Sequence, residues 1–280
     1  MSTMQVDRRR EHEEDLSRLA RLRVIDDDFM RCVFRDQREL TEDVLRVICG
    51  LEGLHVVQQE TQRDLKRLAG ARSVELDVWA VGDDGTEYDM EVQRGDDPYP
   101  RRLRYHSACM DVETLDAGQD FSDLPEQWVV FIMEEDPFGQ DEGTYLFRRT
   151  CDNILLEDGT HYLYVNGAYR GNDELGALMS DFCQSDPNAI GNKMLADRVR
   201  YWKENPEGVR KMCEILEEMR DEAMRKGMEK GMEKGMEKGS EQTLLNNVRS
   251  LMEGVGWTAQ QALDTLRVPE SDRAKYLAML

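Results

Sequence analysis

Acidic side chains alternate with apolar ones in a single stretch of the sequence, VELDVWAVGDDGTEYDMEVQR, residues 74–94. Alternation of this kind is typical of strands that bury one face. The glycine- and aspartate-rich sequence GDDG interrupts the pattern and is typical of a turn. The stretch therefore predicts a β-hairpin with strands at 73–81 and 86–94.

The register of this hairpin is limited by its two apolar rows, which must lie on the same face of the sheet. A two-residue turn would place the rows on opposite faces. A three-residue loop, Asp83 to Gly85, brings them together and pairs Val78 with Met90. The same register predicts that Asp77 lies directly opposite Glu91.

Two carboxylates about 5 Å apart would repel each other by roughly 3 kcal/mol at an effective dielectric constant near 20. A divalent cation between Asp77 and Glu91 would remove that repulsion, and carboxylate oxygens are ligands that Mg²⁺ or Mn²⁺ prefers. The pattern alone also fits a solvated polar face, with Glu87 and Asp89 as further members. Spacing does not decide between a metal site and such a face.

The composition limits the classes of function. The chain has 280 residues and a formal net charge of −21, so it has no general attraction to polyanions, and DNA would need a local basic patch. The charged start of the sequence predicts no signal peptide, and the apolar run 128–133 is too short to cross a bilayer. We therefore expect a cytoplasmic protein without a membrane partner. The sequence also lacks the P-loop, nucleophile-elbow and dinucleotide-binding motifs.

Hydrophobic periodicity predicts an α/β protein with a small mixed sheet flanked by helices and a helical C-terminal extension. Helices are expected at 7–22, 39–50 and 98–117, and further strands at 54–59, 127–133, 144–149 and 161–166. The predicted segments are an N-terminal helical segment (1–23), a core (24–170), a helical extension (171–206), a repeat segment (207–239) and a small helical C-terminal unit (240–280).

The repeat segment ends in KGMEKGMEKGMEKG, with a glycine at every fourth position. Each interior glycine destabilises a helix by about 1 kcal/mol relative to alanine. Two interpretations stay open. The segment is either a helix that packs on a copy of itself and makes a homo-oligomer, or a flexible charged spacer.

Several segments together give the chain a resemblance to a known family. It resembles the PD-(D/E)XK nuclease superfamily and, more narrowly, the bacterial PD-(D/E)XK nuclease family transposases, which are related to the recombination-promoting nucleases. The matching segments cover most of residues 24–239 and include DDDFMRCVF (26–34), ELTEDVLRVICG (39–50), SVELDVWAVGDDGTEYDMEVQR (73–94), RRLRYHSACMD (101–111) and LDAGQDFSDLPEQWVVFIMEEDPFG (115–139).

The resemblance implies a restriction-endonuclease-like core and assigns roles to the hairpin. Asp77 matches the first acid of the motif, Glu91 the second, and Gln93 stands in the place of its lysine. Asp77, Glu91 and Gln93 are thus the candidate catalytic residues. A neutral amide donates and accepts hydrogen bonds but lacks the positive charge of lysine.

The resemblance also implies a further acid on the helix at 39–50. Glu42 is its best match, and Glu39 and Asp43 stay open as alternatives. The implied cofactor is Mg²⁺ or Mn²⁺, held by Asp77, Glu91 and Glu42.

The next helix carries a basic cluster that would supply the missing charge and contact DNA phosphates. Its members are Arg101, Arg102, Arg104 and His106, of which Arg102 and His106 share a face at i, i+4. A solvated basic face is the alternative for any one of these arginines. Against DNA binding, residues 111–147 contain no lysine or arginine.

The sequence thus predicts a metal-dependent DNA endonuclease, linked by its resemblance to recombination or mobile elements. The alternative is a catalytically degenerate nuclease fold that acts through its helical tail as an oligomerising or binding module.

Overall fold

The computed structural model describes residues 3–65, 74–94, 100–152 and 154–280, and it divides the chain into two compact units, residues 1–213 and 214–280. The first unit contains a mixed six-stranded sheet flanked by helices, which confirms the predicted α/β class. None of the helices in the described part of the chain is both long and apolar enough to cross a membrane.

The sheet has the strand order β1-β2-β3-β4-β8-β5. Strands β1, β2 and β3 pair antiparallel, β3, β4 and β8 pair parallel, and β5 pairs antiparallel with β8. A separate two-stranded pair is made by β6 and β7. The strands are β1 (Val56–Asp64), β2 (Glu75–Gly82), β3 (Glu87–Gln93), β4 (Gln127–Met133), β5 (Thr144–Leu146), β6 (Thr150–Cys151), β7 (Ile154–Leu155) and β8 (Thr160–Asn166).

The α-helices are α1 (Thr3–Arg21), α2 (Asp27–Phe34), α3 (Arg38–Cys49), α4 (Pro100–Thr114), α5 (Glu174–Phe182), α6 (Lys193–Glu204), α7 (Pro206–Val255), α8 (Ala259–Thr265) and α9 (Glu270–Leu277), with 3₁₀ turns at Phe121–Asp123 and Pro187–Ala189. Helix α3 ends at Gly50, whose φ of +67° is the left-handed conformation that glycine adopts at a helix C-terminus. Helix α2 and the β6–β7 pair are elements that periodicity did not predict. The predicted strand start at 73 and helix start at 98 lie outside the described residues.

The β2–β3 hairpin has the predicted register. Val78 pairs with Met90 and Ala80 with Tyr88. The loop is three residues long, because the amide of Gly82 donates to the carbonyl of Thr86 at 2.9 Å. Gly85 has a φ of +87°, which a residue with a side chain adopts only with strain. The turn therefore fixes which side chains of the two strands face each other.

Two helices bring further side chains to this hairpin. Helix α4 packs on the sheet through Leu103 and Met110, which join Trp79 and Phe131 in one buried cluster. Helix α2 is held at its C-terminal end by α6.

The last turn of α2 has carbonyls without intrahelical partners, and α6 supplies donors for them. Trp202 donates its indole N–H to the carbonyl of Cys32 at 2.9 Å, and Arg198 donates to the carbonyl of Val33 at 3.0 Å. The amide of Ile25 donates to the carbonyl of Phe182 in α5 at 3.0 Å. Helices α5 and α6, which lie in the helical extension predicted at 171–206, belong to the same unit as the sheet.

The second unit has a small buried cluster of Val248, Ala262, Leu263 and Val268, and Tyr276 of α9 packs against it. Helix α8 begins with a capping box, in which Thr258 and Gln261 each accept from the other's backbone amide. The repeat glycines lie within the single helix α7, and a β-carbon added at any of them would meet open space among the described residues.

Candidate functional site

The hairpin places its acidic side chains in the interior of the protein. Asp77 on β2 is 2% exposed, and Asp89 and Glu91 on β3 are fully buried. Asp89 and Glu91 share a face because they lie two positions apart on one strand. Since exposed charges define a solvated polar face, that interpretation is wrong for these three residues.

Asp77 and Glu91 lie side by side, as the register requires. The backbone amide of Asp77 donates a hydrogen bond to Oε1 of Glu91 at 2.9 Å. This bond crosses from one strand to the next and fixes the Glu91 carboxylate against β2. The structure therefore brings together the two acids that the sequence singled out.

Asp89 has a partner on α4, His106, which was predicted to contact DNA. His106 is 4% exposed, and its Nδ1 lies 2.9 Å from Oδ2 of Asp89 and 3.9 Å from Oε1 of Glu91. The imidazole packs edge-on against the ring of Phe131, with centroids 5.5 Å apart. One ligand atom from each of Asp89, Glu91 and His106 lies within 4.8 Å of the others, so this trio could hold a metal ion.

Arginines from two helices contact the same carboxylates. Arg31 on α2 lies 2.7 Å from Oδ1 of Asp77 and 2.9 Å from Oδ1 of Asp27. Arg102 on α4 lies 2.7 Å from Oε2 of Glu91. With four carboxylates, counting Asp89, and two guanidinium groups, the group carries excess negative charge when all its acids are ionised.

Burial and mutual repulsion raise the pKa of each of these acids. The pKa of Asp77 is raised to about 8 by burial and by the charges of Glu91 and Asp27, against the opposing effect of Arg31. The pKa of Glu91 is raised to about 7 by burial and by Asp89. Burial raises the pKa of Asp89 well above its usual range. Near neutral pH the group therefore retains protons that a bound cation would displace.

The oxygen and nitrogen atoms that the carboxylates and His106 offer decide which metal ion would fit this site. Oδ1 of Asp89 is buried. The carboxyl groups of Asp89 and Glu91 hydrogen-bond to each other through a retained proton, and when that proton is lost the described residues offer Oδ1 no donor. A cation would then satisfy the buried oxygen. Two carboxylates with an imidazole suit Mn²⁺ better than Mg²⁺, which prefers oxygen ligands alone. The Asp77–Glu91 pair supplies oxygen only.

Glu42, the metal ligand predicted on α3, contacts other groups in the structure. Its Oε2 accepts from the amide of Val56 at 2.9 Å, and its Oε1 lies 2.5 Å from Arg46. The carboxylate thus joins α3 to the start of β1. Of the two alternatives, Glu39 is exposed and Asp43 accepts from the side chain of Asn192 at 2.7 Å.

The helix that brings an acid to the hairpin is α2. Asp27 lies in its first turn, shares Arg31 with Asp77, and has a pKa raised chiefly by burial. Sequence reasoning missed this residue, although DDDF lies in a segment that carries the family resemblance. It also missed Asp89, which the D-x-E spacing to Glu91 could have indicated but which was considered only as a member of the alternative, a solvated face.

The predicted basic cluster on α4 divides into two groups. Arg101 and Arg104 are exposed, as a phosphate-binding role requires. Arg102 donates to Gln93 as well as contacting Glu91, so its charge is already shared. His106 needs correction, because a histidine buried against Asp89 is not a surface contact for DNA. The shared face of Arg102 and His106 is present, with Arg102 Nε 3.4 Å from His106 Nε2.

Comparisons with models of protein families, with curated proteins and with solved structures found no match to this chain. The resemblance to the PD-(D/E)XK nucleases therefore remains a prediction from the sequence.

The raised pKa values give the metal-free protein a characteristic pH dependence. Between the unfolded pKa values near 4 and the folded values of about 7 and 8, the folded state binds more protons than the unfolded state. In EDTA, the free energy of unfolding should therefore fall as the pH rises from 5 to 9. At pH 9 Asp77→Asn should be the more stable protein, by about 1 kcal/mol or more and roughly 2–4 °C in Tm.

Thermal unfolding of the two proteins across this pH range measures the effect. Glu60→Gln on β1 is the matched control, because it removes one charge from an exposed position. Equal pH dependence in wild type, Asp77→Asn and the control would contradict the buried repulsion.

Proposed function

We propose that this chain is a metal-dependent DNA endonuclease with a restriction-endonuclease-like core. The observation that supports it best is the pair of buried carboxylates, Asp77 and Glu91, held side by side on adjacent strands. Neighbouring them are Asp89 and His106, which complete a set of possible metal ligands. The link to recombination or mobile elements rests on the family resemblance alone.

The charge of the group makes a divalent cation a fitting occupant. Asp77, Asp89 and Glu91 would hold the ion, with His106 as a nitrogen ligand where the ion is Mn²⁺. When bound, the ion would supply positive charge beside the scissile phosphate and lower the pKa of water. Burial strengthens such effects, because the site has a lower effective dielectric constant than the surface.

Arg102 is the side chain best suited to replace the lysine of the motif. It lies between Glu91 and Gln93, and its side chain is 42% exposed, so a phosphate oxygen could reach the guanidinium. A guanidinium binds phosphate through two parallel hydrogen bonds. In this proposal Arg102 moves its charge from Glu91 to the phosphate, and Gln93 orients it by accepting a hydrogen bond.

The protein has a net charge of −21 and would repel DNA, so DNA must bind at a local basic surface. Arg101 and Arg104 are exposed on the same helix as Arg102 and would contact the DNA backbone. Contacts of this kind position a duplex without reading its sequence. We therefore expect binding that is weak, sensitive to salt and low in sequence specificity.

A second candidate function is favoured by a different observation. Arg31 and Arg102 already pair with Asp77 and Glu91, which is also what a nuclease fold without a metal would require. Such a protein would act through its helical tail. Helix α7 carries exposed methionines at every fourth residue, each 59–68% exposed: Met224, Met228, Met232 and Met236.

These methionines form one winding face of the helix. Residues four apart advance by about 40° around a helix, so the four side chains cover an arc of about 120°. Lys and Glu separate them along the sequence. An apolar stripe bordered by charge is typical of a helix that associates with a partner, and a second copy of α7 would present the same stripe.

Plasmid cleavage tests the nuclease proposal. The wild-type protein should nick supercoiled plasmid in Mn²⁺ or Mg²⁺ and not in EDTA or Ca²⁺. Glu91→Gln removes a ligand charge at nearly constant shape and should reduce the rate by at least about a hundredfold. Glu60→Gln should cleave as the wild type does, and circular dichroism should show that both variants are folded. Cleavage by Glu91→Gln at the wild-type rate would refute the proposed site.

Light scattering tests the tail. Replacing all four exposed methionines by glutamine keeps the helix length and removes the apolar stripe. If α7 associates with a second copy, the measured mass should fall to that of one chain. The matched control replaces the four lysines of the same repeats, Lys226, Lys230, Lys234 and Lys238, by glutamine. An unchanged mass in the methionine variant would exclude association through this stripe.

A further inference from the structure

A cleft of about 520 Å³ lies between α4 and the sheet. Helix α4 lines it with Ser107, Ala108 and Asp111, and the sheet lines it with Gln127 and Tyr162. Arg102 and His106 of the same helix contact the carboxylates. The cleft therefore shares a helix with the candidate metal site but none of its possible ligands. Its volume is in the range of small-molecule sites.

The walls of the cleft are rich in aromatic rings. Phe147 and Tyr162 line it with partly exposed rings, and the ring of Phe147 lies 5.8 Å from that of Tyr164, which is fully buried. The guanidinium of Arg149 lies 4.8 Å from the centre of the Tyr162 ring. Aromatic and guanidinium planes of this kind stack on flat heterocycles, as in proteins that bind single-stranded nucleic acids.

Gln127 and Asp111 supply hydrogen-bond acceptors to the polar part of the cleft. Gln127 is 3% exposed, and its Nε2 donates to Oδ1 of Asp111 at 2.5 Å. That bond fixes the orientation of the amide. Oε1 of Gln127 is buried and, in the part of the chain that the structure describes, has no hydrogen-bond partner. A buried polar atom without a partner is uncommon in folded proteins, and a donor group of a ligand in the cleft would satisfy it.

Two cations complete the lining. Arg104 is exposed on α4, and Arg149 pairs with Asp158, which also lines the cleft. Arg104 and Arg149 provide positive charge beside the aromatic walls in a strongly acidic protein. A ligand with a flat ring and a phosphate would therefore find a partner for each part.

We infer that this cleft binds guanine as part of a nucleotide. The ring stacks on the aromatic walls, its Watson–Crick edge meets Gln127 and Asp111, and the phosphate contacts the arginines. Guanine presents two adjacent donors on that edge, N1–H and the N2 amino group, which match a carboxylate and an amide oxygen. Adenine and cytosine present one donor beside an acceptor. The source is either a free guanine nucleotide or a guanine in a single strand.

Calorimetry with the full chain tests the inference and separates the two sources. GMP should bind, and IMP, which lacks only the N2 amino group, should bind at least about tenfold more weakly, as should AMP. A short single strand with one guanine, compared with the same strand carrying inosine, gives the second arm. If guanine is preferred to inosine only within the strand, the cleft binds single-stranded nucleic acid. If GMP is preferred to IMP and AMP, the cleft binds the free nucleotide.

Variants locate the binding. Gln127→Met removes the buried acceptor at similar volume and should weaken GMP binding about tenfold or more. Ala108→Trp fills the cleft from an exposed helix position and should abolish binding without disturbing the core. Ala117→Trp, also exposed but outside the cleft, is the matched control.

Three outcomes would overturn the inference: no binding of either source, failure of both the free nucleotides and the strand pair to show a preference for guanine, or binding that persists in Ala108→Trp. None of these depends on metal binding or DNA cleavage. Failure of the cleft is therefore distinguishable from failure of the nuclease proposal.

Discussion

Burial of like charges across the β2–β3 hairpin is the constraint on which the rest of the site depends. Asp77 and Glu91 are almost inaccessible to water, and the amide of Asp77 holds Glu91 in place. Isolated buried carboxylates are strongly unfavourable, so the surrounding elements must supply protons, guanidinium groups or a cation. Helix α2 supplies Arg31 for this purpose, and α4 supplies Arg102.

The helices are fixed by contacts remote from the carboxylates. Trp202 and Arg198 of α6 bind the last carbonyls of α2, and Leu103 of α4 packs in the core under the sheet. These contacts are apolar or made to the backbone, so they persist whatever the charge of the site. A ligand at the carboxylates would thus find its surroundings already ordered, which lowers the entropic penalty of binding.

The hairpin could be predicted from the sequence, because alternation and loop length are local properties. Two apolar rows and a glycine at the third loop position specify the register of Asp77 and Glu91. The acid on the neighbouring helix could not be identified in the same way. Glu42 has a suitable position along the sequence, but Arg46, one turn later, and the amide of Val56 bind its carboxylate.

Asp89 and His106 show a related limit. They are 17 residues apart and meet only because α4 packs back across β3. Their contact depends on the burial of Leu103 and Phe131, which sequence spacing does not reveal. The alternation of the strand correctly placed Asp89 on the same face as Glu91. Whether that face was exposed depended on α4, whose packing the alternation does not predict.

The proposed function requires that the buried carboxylates and His106 form a binding site for a divalent cation. The most direct test is electron paramagnetic resonance of the wild-type protein with one equivalent of Mn²⁺. The account predicts one tightly bound ion whose spectrum shows coupling to a directly bound nitrogen, lost in His106→Gln. An ion that remains free in solution, or a spectrum unchanged in both His106→Gln and Glu91→Gln, would contradict it.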